Sequence, residues 1–173
     1  EHRNYSENLL KTMNMMTEVD ILFIKQIELK YLSKIKKLFY LLAVNGTKAP
    51  NISQLASDIE TSRATVMNYI KYLADARLIN IVYPVGQSFP KKPPMIMVHN
   101  PNLMYAIYPI NVEKQELMEN FFLNSLWKDH LVNSGKKSGC YVVNEKYQFK
   151  VCDAAKLSRS RFSQDLIYTR YNT

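Results

Sequence analysis

The sequence predicts an α+β fold class, and three observations lead to this prediction. Apolar residues recur at spacings of three and four over residues 34–44 and again over 63–75, as in amphipathic helices. Runs rich in β-branched and aromatic residues at 78–84 and 95–99 indicate two strands. A second pair of strand-like runs, separated by only three residues, indicates a hairpin near residue 145. Helices followed by short strands in this order are typical of a small mixed domain.

Two helices joined by a short turn are predicted within residues 53–75. Ser53 is the expected N-cap of a short helix over 54–59, and Glu60-Thr61-Ser62 forms the turn. The second helix, about 63–75, has an apolar face at helical spacing, made of Val66, Tyr69, Ile70 and Leu73. An earlier helix over 34–44 ends at Asn45-Gly46, a common helix terminator. Three helices in this order predict a helix-turn-helix.

A strand, a basic loop and a returning strand follow the second helix directly. The loop 85–94 contains four prolines or glycines and the pair Lys91 and Lys92. The strands on either side are 78–84 and 95–99. This order predicts a wing, so residues 31–100 are interpreted as a winged helix-turn-helix domain.

The remaining chain is predicted to form a connector and a second small unit. Residues 1–30 have a loose helical period and are interpreted as a helical connector. Residues 101–173 begin with a connector, continue with a long helix over about 112–132, and then form a hairpin with strands 141–143 and 147–151. The polar tail from Asp153 is expected to be helical at most in part.

The charge favours a polyanionic partner. Lysine and arginine total 23 against 15 aspartates and glutamates, giving a net charge of +8 and a pI near 9.4. No apolar run approaches the roughly 20 residues that a spanning helix needs. The two cysteines suit a reducing compartment better than a disulfide scaffold, so a cytoplasmic location without membrane contact is expected.

The helix-turn-helix and the wing define the candidate DNA contacts. In such a module the second helix enters the major groove, and its N-terminal residues reach base edges. The residues predicted to contact DNA are Thr61, Ser62, Arg63, Thr65, Asn68 and Lys71 on the turn and helix, and Lys91 and Lys92 on the wing. Two alternatives stay open: Ser62 merely caps a solvated helix face, or the same surface binds a protein.

Catalytic and cofactor-binding motifs are missing from the sequence. No phosphate-cradling loop of the Walker type occurs, so this chain alone is not expected to bind nucleotide, and no cofactor is expected. Cys140, Cys152 and His130 have no spacing typical of zinc sites, so no metal is expected. Glu116 and Glu119 lie three apart on one helix, which is interpreted as a solvated face rather than a carboxylate pair.

Several segments resemble the C-terminal half of a family of prokaryotic AAA-type ATPases. They are Lys37-Leu38-Phe39-Tyr40-Leu41-Leu42, Asn51-Ile52-Ser53-Gln54-Leu55-Ala56, Ser62-Arg63-Ala64-Thr65-Val66, Tyr72 to Ile79, His99 to Ala106, and Glu119-Asn120-Phe121-Phe122-Leu123-Asn124. The resemblance runs from about residue 31 to residue 152. It implies that the intact protein carries a nucleotide-binding domain before this region, and that residues 1–30 connect the two.

The same resemblance implies that the second unit is a small, incomplete piece resembling restriction-endonuclease or Holliday-junction-resolvase folds. Metal-dependent cleavage in such a fold uses an acidic residue on the long helix and two more on the hairpin strands. Glu119 fits the helix position, but Lys150 stands where the family often has an acid, and the strand Cys140-Tyr141-Val142-Val143 has no aspartate. The resemblance therefore implies a degenerate, inactive domain.

The leading hypothesis is a non-catalytic, DNA-binding accessory region of an ATPase. The alternative from a different class is a structural or protein-interaction module that packs on the missing ATPase domain or on a partner. Two further hypotheses are an active nuclease that depends on Glu119, and an independent transcription regulator that dimerises through residues 1–30.

Overall fold

The α+β fold class is confirmed by a computed structural model, which describes residues 2–16, 29–108, 112–152 and 166–169. Within these ranges the chain forms helices, a two-stranded sheet and a four-stranded sheet. No helix in the described ranges is both long and apolar enough to cross a membrane.

In the described ranges the first four helices are α1 (His2–Met16), α2 (Leu29–Asn45), α3 (Ile52–Asp58) and α4 (Arg63–Asp75). The end of α2 at Asn45 was predicted, and Gly46 follows it with a φ of +62°. The predicted N-cap of α3 was wrong. Asn51, and not Ser53, holds that position, because its side chain accepts a hydrogen bond from the Gln54 amide at 3.2 Å.

Two short strands follow α4, namely β1 (Ile79–Ile81) and β2 (Ile96–Val98). They pair antiparallel, with Ile79 opposite Val98. The pair lies where the wing strands were predicted, although each strand is shorter than its apolar run. The order of elements from α2 to β2 is therefore compatible with the predicted winged helix-turn-helix.

Next come α5 (Pro101–Ile107) and α6 (Lys114–Leu126). The sequence analysis missed α5 and interpreted these residues as a connector. Asn100 caps the helix by accepting from the Asn102 amide at 2.9 Å, and Pro101 stands in its first turn, where proline is tolerated. The predicted long helix over 112–132 extended too far, since α6 ends at Leu126.

The second sheet contains β3 (Val132–Ser134), β4 (Cys140–Val143), β5 (Tyr147–Val151) and β6 (Leu166–Thr169), in that spatial order. The predicted hairpin is confirmed as β4 and β5, with Tyr141 opposite Phe149. Strand β3 was not predicted. Strand β6 was not predicted either; it lies in the tail that was expected to be helical at most in part, and it pairs parallel with β5.

The buried apolar residues of the described ranges form two clusters. The helical core consists of Ile35, Leu38, Phe39, Leu42, Ala43, Ile52, Leu55, Ala56, Ile59, Val66, Tyr69, Ile70, Leu73, Leu78, Ile79, Ile96, Val98, Leu103 and Met104. The sheet core consists of Val82, Met97, Met118, Phe122, Leu123, Val132, Tyr141, Val143 and Val151. Part of α1 also packs on the helical core through Leu9 and Met13. The predicted domain boundaries after residues 30 and 100 stay predictions.

Strand β2 contributes to both cores. Ile96 and Val98 belong to the helical core, whereas Met97 between them belongs to the sheet core. Successive side chains of a strand point to opposite faces, so β2 is buried on both sides. This arrangement explains why its sequence is an unbroken apolar run rather than an alternating one.

Candidate nucleic-acid interface

The turn between α3 and α4 is fixed by backbone hydrogen bonds and by lysines of α2. Glu60 has a φ of +52°, and the Thr61 amide donates to the Ala56 carbonyl at 2.9 Å, which is the pattern of a Schellman ending. Lys34 Nζ donates to the Glu60 carbonyl at 2.6 Å, and Lys37 Nζ donates to the Asp58 carbonyl at 2.7 Å. These bonds satisfy carbonyls that the end of a helix leaves open.

Helix α4 begins at a side-chain cap. The Ser62 hydroxyl oxygen accepts from the Thr65 amide at 3.1 Å, and the two hydroxyl oxygens lie 2.8 Å apart. Both predicted contact residues therefore take part in capping, as the alternative interpretation of Ser62 expected. No acidic residue stands in the first turn of α4. The positive end of the helix dipole is thus not offset by a carboxylate on that turn.

The exposed face of α4 carries the basic and amide side chains of the predicted site. Arg63, Asn68 and Lys71 are exposed, while Thr61 and Thr65 are half-buried. The opposite face is buried in the helical core. Of the six residues predicted on the turn and helix, Thr61, Ser62 and Thr65 take part in hydrogen bonds at the helix ends. The other three, Arg63, Asn68 and Lys71, face the solvent.

The loop between β1 and β2, which is the predicted wing, contacts α4 directly. Lys71 Nζ lies 5.5 Å from the centroid of the Phe89 ring, within the range of a cation–π interaction. At the base of the loop, the buried Tyr83 hydroxyl donates to the Lys91 carbonyl at 2.8 Å. The side chains of Lys91 and Lys92 are exposed. The structure thus brings Lys71 and the wing together.

Lys34, Lys37, Tyr83 and Phe89 were missed by the sequence analysis. The lysine-rich start of α2 was visible in the sequence, but the carbonyls that these lysines reach lie 21 and 26 residues further along the chain. The aromatic residues were visible as well, yet nothing local indicated that Phe89 would meet Lys71.

The predicted solvated face at Glu116 and Glu119 was wrong, because α6 lies between the two cores and both side chains are buried. Glu119 accepts hydrogen bonds from Gln115 Nε2 at 2.7 Å and from the Tyr141 hydroxyl at 2.5 Å. Burial, and secondly the nearby Glu119 charge, raise the pKa of Tyr141. The hydrogen bond between Glu119 and Tyr141 therefore links α6 to β4.

Burial also raises the pKa of Glu116 above its usual value, with the Glu113 charge as the second cause. The carboxyl group of Glu116 lies over Gly46, where an added Cβ would come within 2.1 Å of it. The Lys48 charge and the Thr47 backbone amide act in the opposite direction. Glu116 therefore sits at the junction of α2 and α6.

Lys150 donates to the Ser138 carbonyl and pairs across the strands with Cys140. Where the structure describes the chain, no three histidine, cysteine, aspartate or glutamate side chains stand close enough to hold a metal ion. Glu119, the residue that the resemblance placed at the nuclease position, has a tyrosine and a glutamine as its partners. Its observed role is to join a helix to a sheet.

No curated protein sequence and no solved structure matches this chain. A family model does match it, over residues 3–113, which span α1 to α5 and therefore the candidate interface. The matched part is well over half of the 173 residues. The chain therefore belongs to the family described as a domain of unknown function, DUF8612.

Proposed function

We propose that this chain is a DNA-binding region without catalytic activity of its own, which serves a larger cytoplasmic ATPase. The observation that carries the proposal is the surface made by α4 and the wing. It presents Arg63, Asn68 and Lys71 on one helix face and links Lys71 to the loop that carries Lys91 and Lys92.

Each group on this surface has a distinct chemical part in the proposal. Arginine can pair bidentately with guanine, and asparagine can pair with adenine, so Arg63 and Asn68 would read base edges. The lysines of the wing would bind backbone phosphates, which positions the protein without reading sequence. Segment 84–95 contains no acidic residue that would oppose these contacts.

The test is DNA binding by the whole chain, measured by fluorescence anisotropy over a salt series. We expect wild-type affinity to fall steeply with salt, because phosphate contacts release counterions. The variant Arg63→Ala/Lys71→Ala is expected to weaken binding at least tenfold, since each lost base or phosphate contact is worth about 1–3 kcal/mol.

A matched control removes the same amount of charge elsewhere. Lys128 and Lys146 are exposed and lie outside α4 and the wing. Their double glutamine variant is expected to bind within about twofold of wild type, because exposed charges that do not contact the duplex act on it only through screened solvent. The proposal would be wrong if both double variants lost the same amount of affinity for DNA, or if the wild-type chain did not bind DNA.

A second candidate function, docking onto a protein partner or the proposed ATPase domain, is favoured by a groove on another side of the helices. The groove has a volume of about 240 Å³ and is lined mainly by apolar side chains of α1, α2 and α5, among them Leu10, Met13, Phe39 and Ile107. Tyr40, which also lines it, is half exposed. Apolar surface of this kind commonly marks protein contacts. Failure to bind any duplex at low salt would favour this candidate.

A further inference from the structure

Tyr83 joins the wing to the second sheet. Its carbonyl oxygen accepts from the Ser134 amide at 2.9 Å and from Asn133 Nδ2 at 3.1 Å. Its hydroxyl donates to the Lys91 carbonyl at 2.8 Å. One buried residue therefore holds both strand β3 and the basic part of the wing loop, so the two are not independent elements.

The chain directions at this junction place two loops next to each other. Pro84 and Ser134 form a parallel β-bridge. Chains that run parallel leave the bridge in the same direction, so the wing loop after Pro84 and the β3–β4 loop after Ser134 begin side by side. The β3–β4 loop comprises residues 135–139 and reads Gly-Lys-Lys-Ser-Gly.

The β3–β4 loop is tightly closed and presents two lysines. The Gly135 amide donates to the Cys140 carbonyl at 2.7 Å, and the Cys140 amide donates to the Lys137 carbonyl at 3.0 Å. Gly139 has a φ of +70°, and a Cβ there would lie 2.9 Å from the Val151 carbonyl oxygen. Lys136 and Lys137 are exposed at the tip.

The two loops carry positive charge and no negative charge of their own. Neither segment 84–95 nor segment 131–139 contains an aspartate or a glutamate, and each carries a pair of adjacent lysines. Paired lysines on closed loops match a ligand whose negative charges repeat at regular intervals along a surface. The phosphate backbone of a duplex has this property, with one charge per about 1.7 Å of helix axis.

We propose that the β3–β4 loop is a second phosphate-binding element, which contacts the same duplex as α4 and the wing through Lys136 and Lys137. The inference rests on the proposed function and extends the interface past residue 113, where the family match ends. The second unit would thereby contribute backbone contacts, which add affinity without reading base sequence.

The experiment compares three double variants of the whole chain on two duplexes of unrelated sequence, over a salt series. Lys136→Gln/Lys137→Gln tests the loop, and Arg63→Ala/Lys71→Ala tests α4. The control, Lys128→Gln/Lys146→Gln, removes two positive charges from the opposite end of the sheet, where the Leu131 amide donates to Asn144 Oδ1 at 3.0 Å.

The loop variant is expected to lower the slope of log affinity against log salt by about one to two, since each phosphate contact contributes roughly 0.9. At low salt its affinity is expected to fall about tenfold, by the same factor on both duplexes, and its circular dichroism is expected to match wild type. The control is expected to keep the wild-type slope.

Three other outcomes are possible, and each overturns either the loop inference, the role of α4 or the proposed function. A loss in the α4 variant, with the loop variant and the control equal to wild type, overturns the loop inference and leaves the proposed function standing. A loss in the loop variant alone overturns the role of α4, and with it the shared duplex. Absence of binding by the wild-type chain overturns both.

Discussion

The helical core and the sheet core treat polar groups differently. The helical core is built from apolar side chains, and the end of its helix α3 is held at the surface by hydrogen bonds from Lys34 and Lys37. Beside the sheet core, α6 carries three buried polar side chains, Glu116, Glu119 and Asn120. A buried polar group is costly unless it has a hydrogen-bond partner, so this region depends on specific bonds as well as on apolar contact.

The difference shows which part of the molecule tolerates change. An apolar core accepts other side chains of similar volume, whereas a buried polar pair loses a partner on almost any substitution. Asn120 illustrates the dependence, because its Nδ2 donates to the Val98 carbonyl at 2.8 Å and thereby ties α6 to β2. Four predictions test whether the two regions differ in this way.

The largest effect is expected from Leu73→Ala in the helical core. Leu73 is fully buried on α4, and truncation of such a leucine costs about 2–5 kcal/mol in lost transfer energy and cavity formation. The free energy of unfolding, measured by urea denaturation, is expected to drop by about 3 kcal/mol. Val44→Ala, at a position half exposed to solvent, is the control and is expected to change stability by less than about 0.5 kcal/mol. Similar losses in both would contradict the assigned core.

Gly46→Ala tests the junction between the two regions. The substitution places a side chain at a φ of +62° and drives its Cβ into the Glu116 carboxyl group. The free energy of unfolding is therefore expected to fall by about 2 kcal/mol. Gly86→Ala is the matched control, since its φ is +74° with no atom within 4 Å, and only the backbone cost of about 1 kcal/mol applies. The interpretation fails if the two variants melt alike.

Tyr141→Phe tests the polar pair in the sheet core. The substitution removes one of the hydrogen-bond donors to the buried Glu119 carboxylate. We therefore expect the free energy of unfolding to fall by about 1.5 kcal/mol. Thermal unfolding of Tyr147→Phe, on an exposed ring of the same sheet, provides the comparison and should match wild type. A double-mutant cycle with Glu119→Gln is expected to show coupling of the two sites, and additive losses would argue against the bond.

The smallest effect is expected from Glu116→Gln, and it depends on pH. Because the pKa of Glu116 is raised on folding, the folded chain binds its proton more tightly than the unfolded chain. Glu116 therefore lowers stability progressively as the pH rises through the interval between its usual value of 4.5 and the raised value. The glutamine variant is expected to be the more stable protein at pH 7, and this gain fades as the pH falls from the raised pKa to 4.5, below which it is absent.

The measurement is the free energy of unfolding of Glu116→Gln and of wild type over a range of pH. Subtracting one from the other removes the contribution of every other titrating group, since both proteins share them. His99, whose pKa is lowered by burial and then by Arg77, is one group that cancels. A difference that stays constant with pH would show that the charge of Glu116 is not its cause.

The candidate interface was predictable from the sequence in its location but not in its internal contacts. Arg63, Asn68 and Lys71 were found because a buried stripe on α4 fixes which face remains exposed. The roles of Tyr83, Phe89 and Lys150 depend on partners that are distant in the sequence. The shortest separation is 8 residues, from Tyr83 to Lys91, and the longest is 51 residues, from Tyr83 to Ser134. No local pattern in the sequence records such pairs.

What the sequence determined by itself is the class of the fold and the course of α2, α3, α4 and the β4–β5 hairpin. These elements follow from periodicities, caps and turns that act within a few residues. Only the tertiary structure decided that α5 forms, that β6 adds parallel to β5, and that Glu116 and Glu119 are buried. The physical reason is that such outcomes depend on surfaces supplied by distant parts of the chain, and burial against those surfaces outweighs local preference.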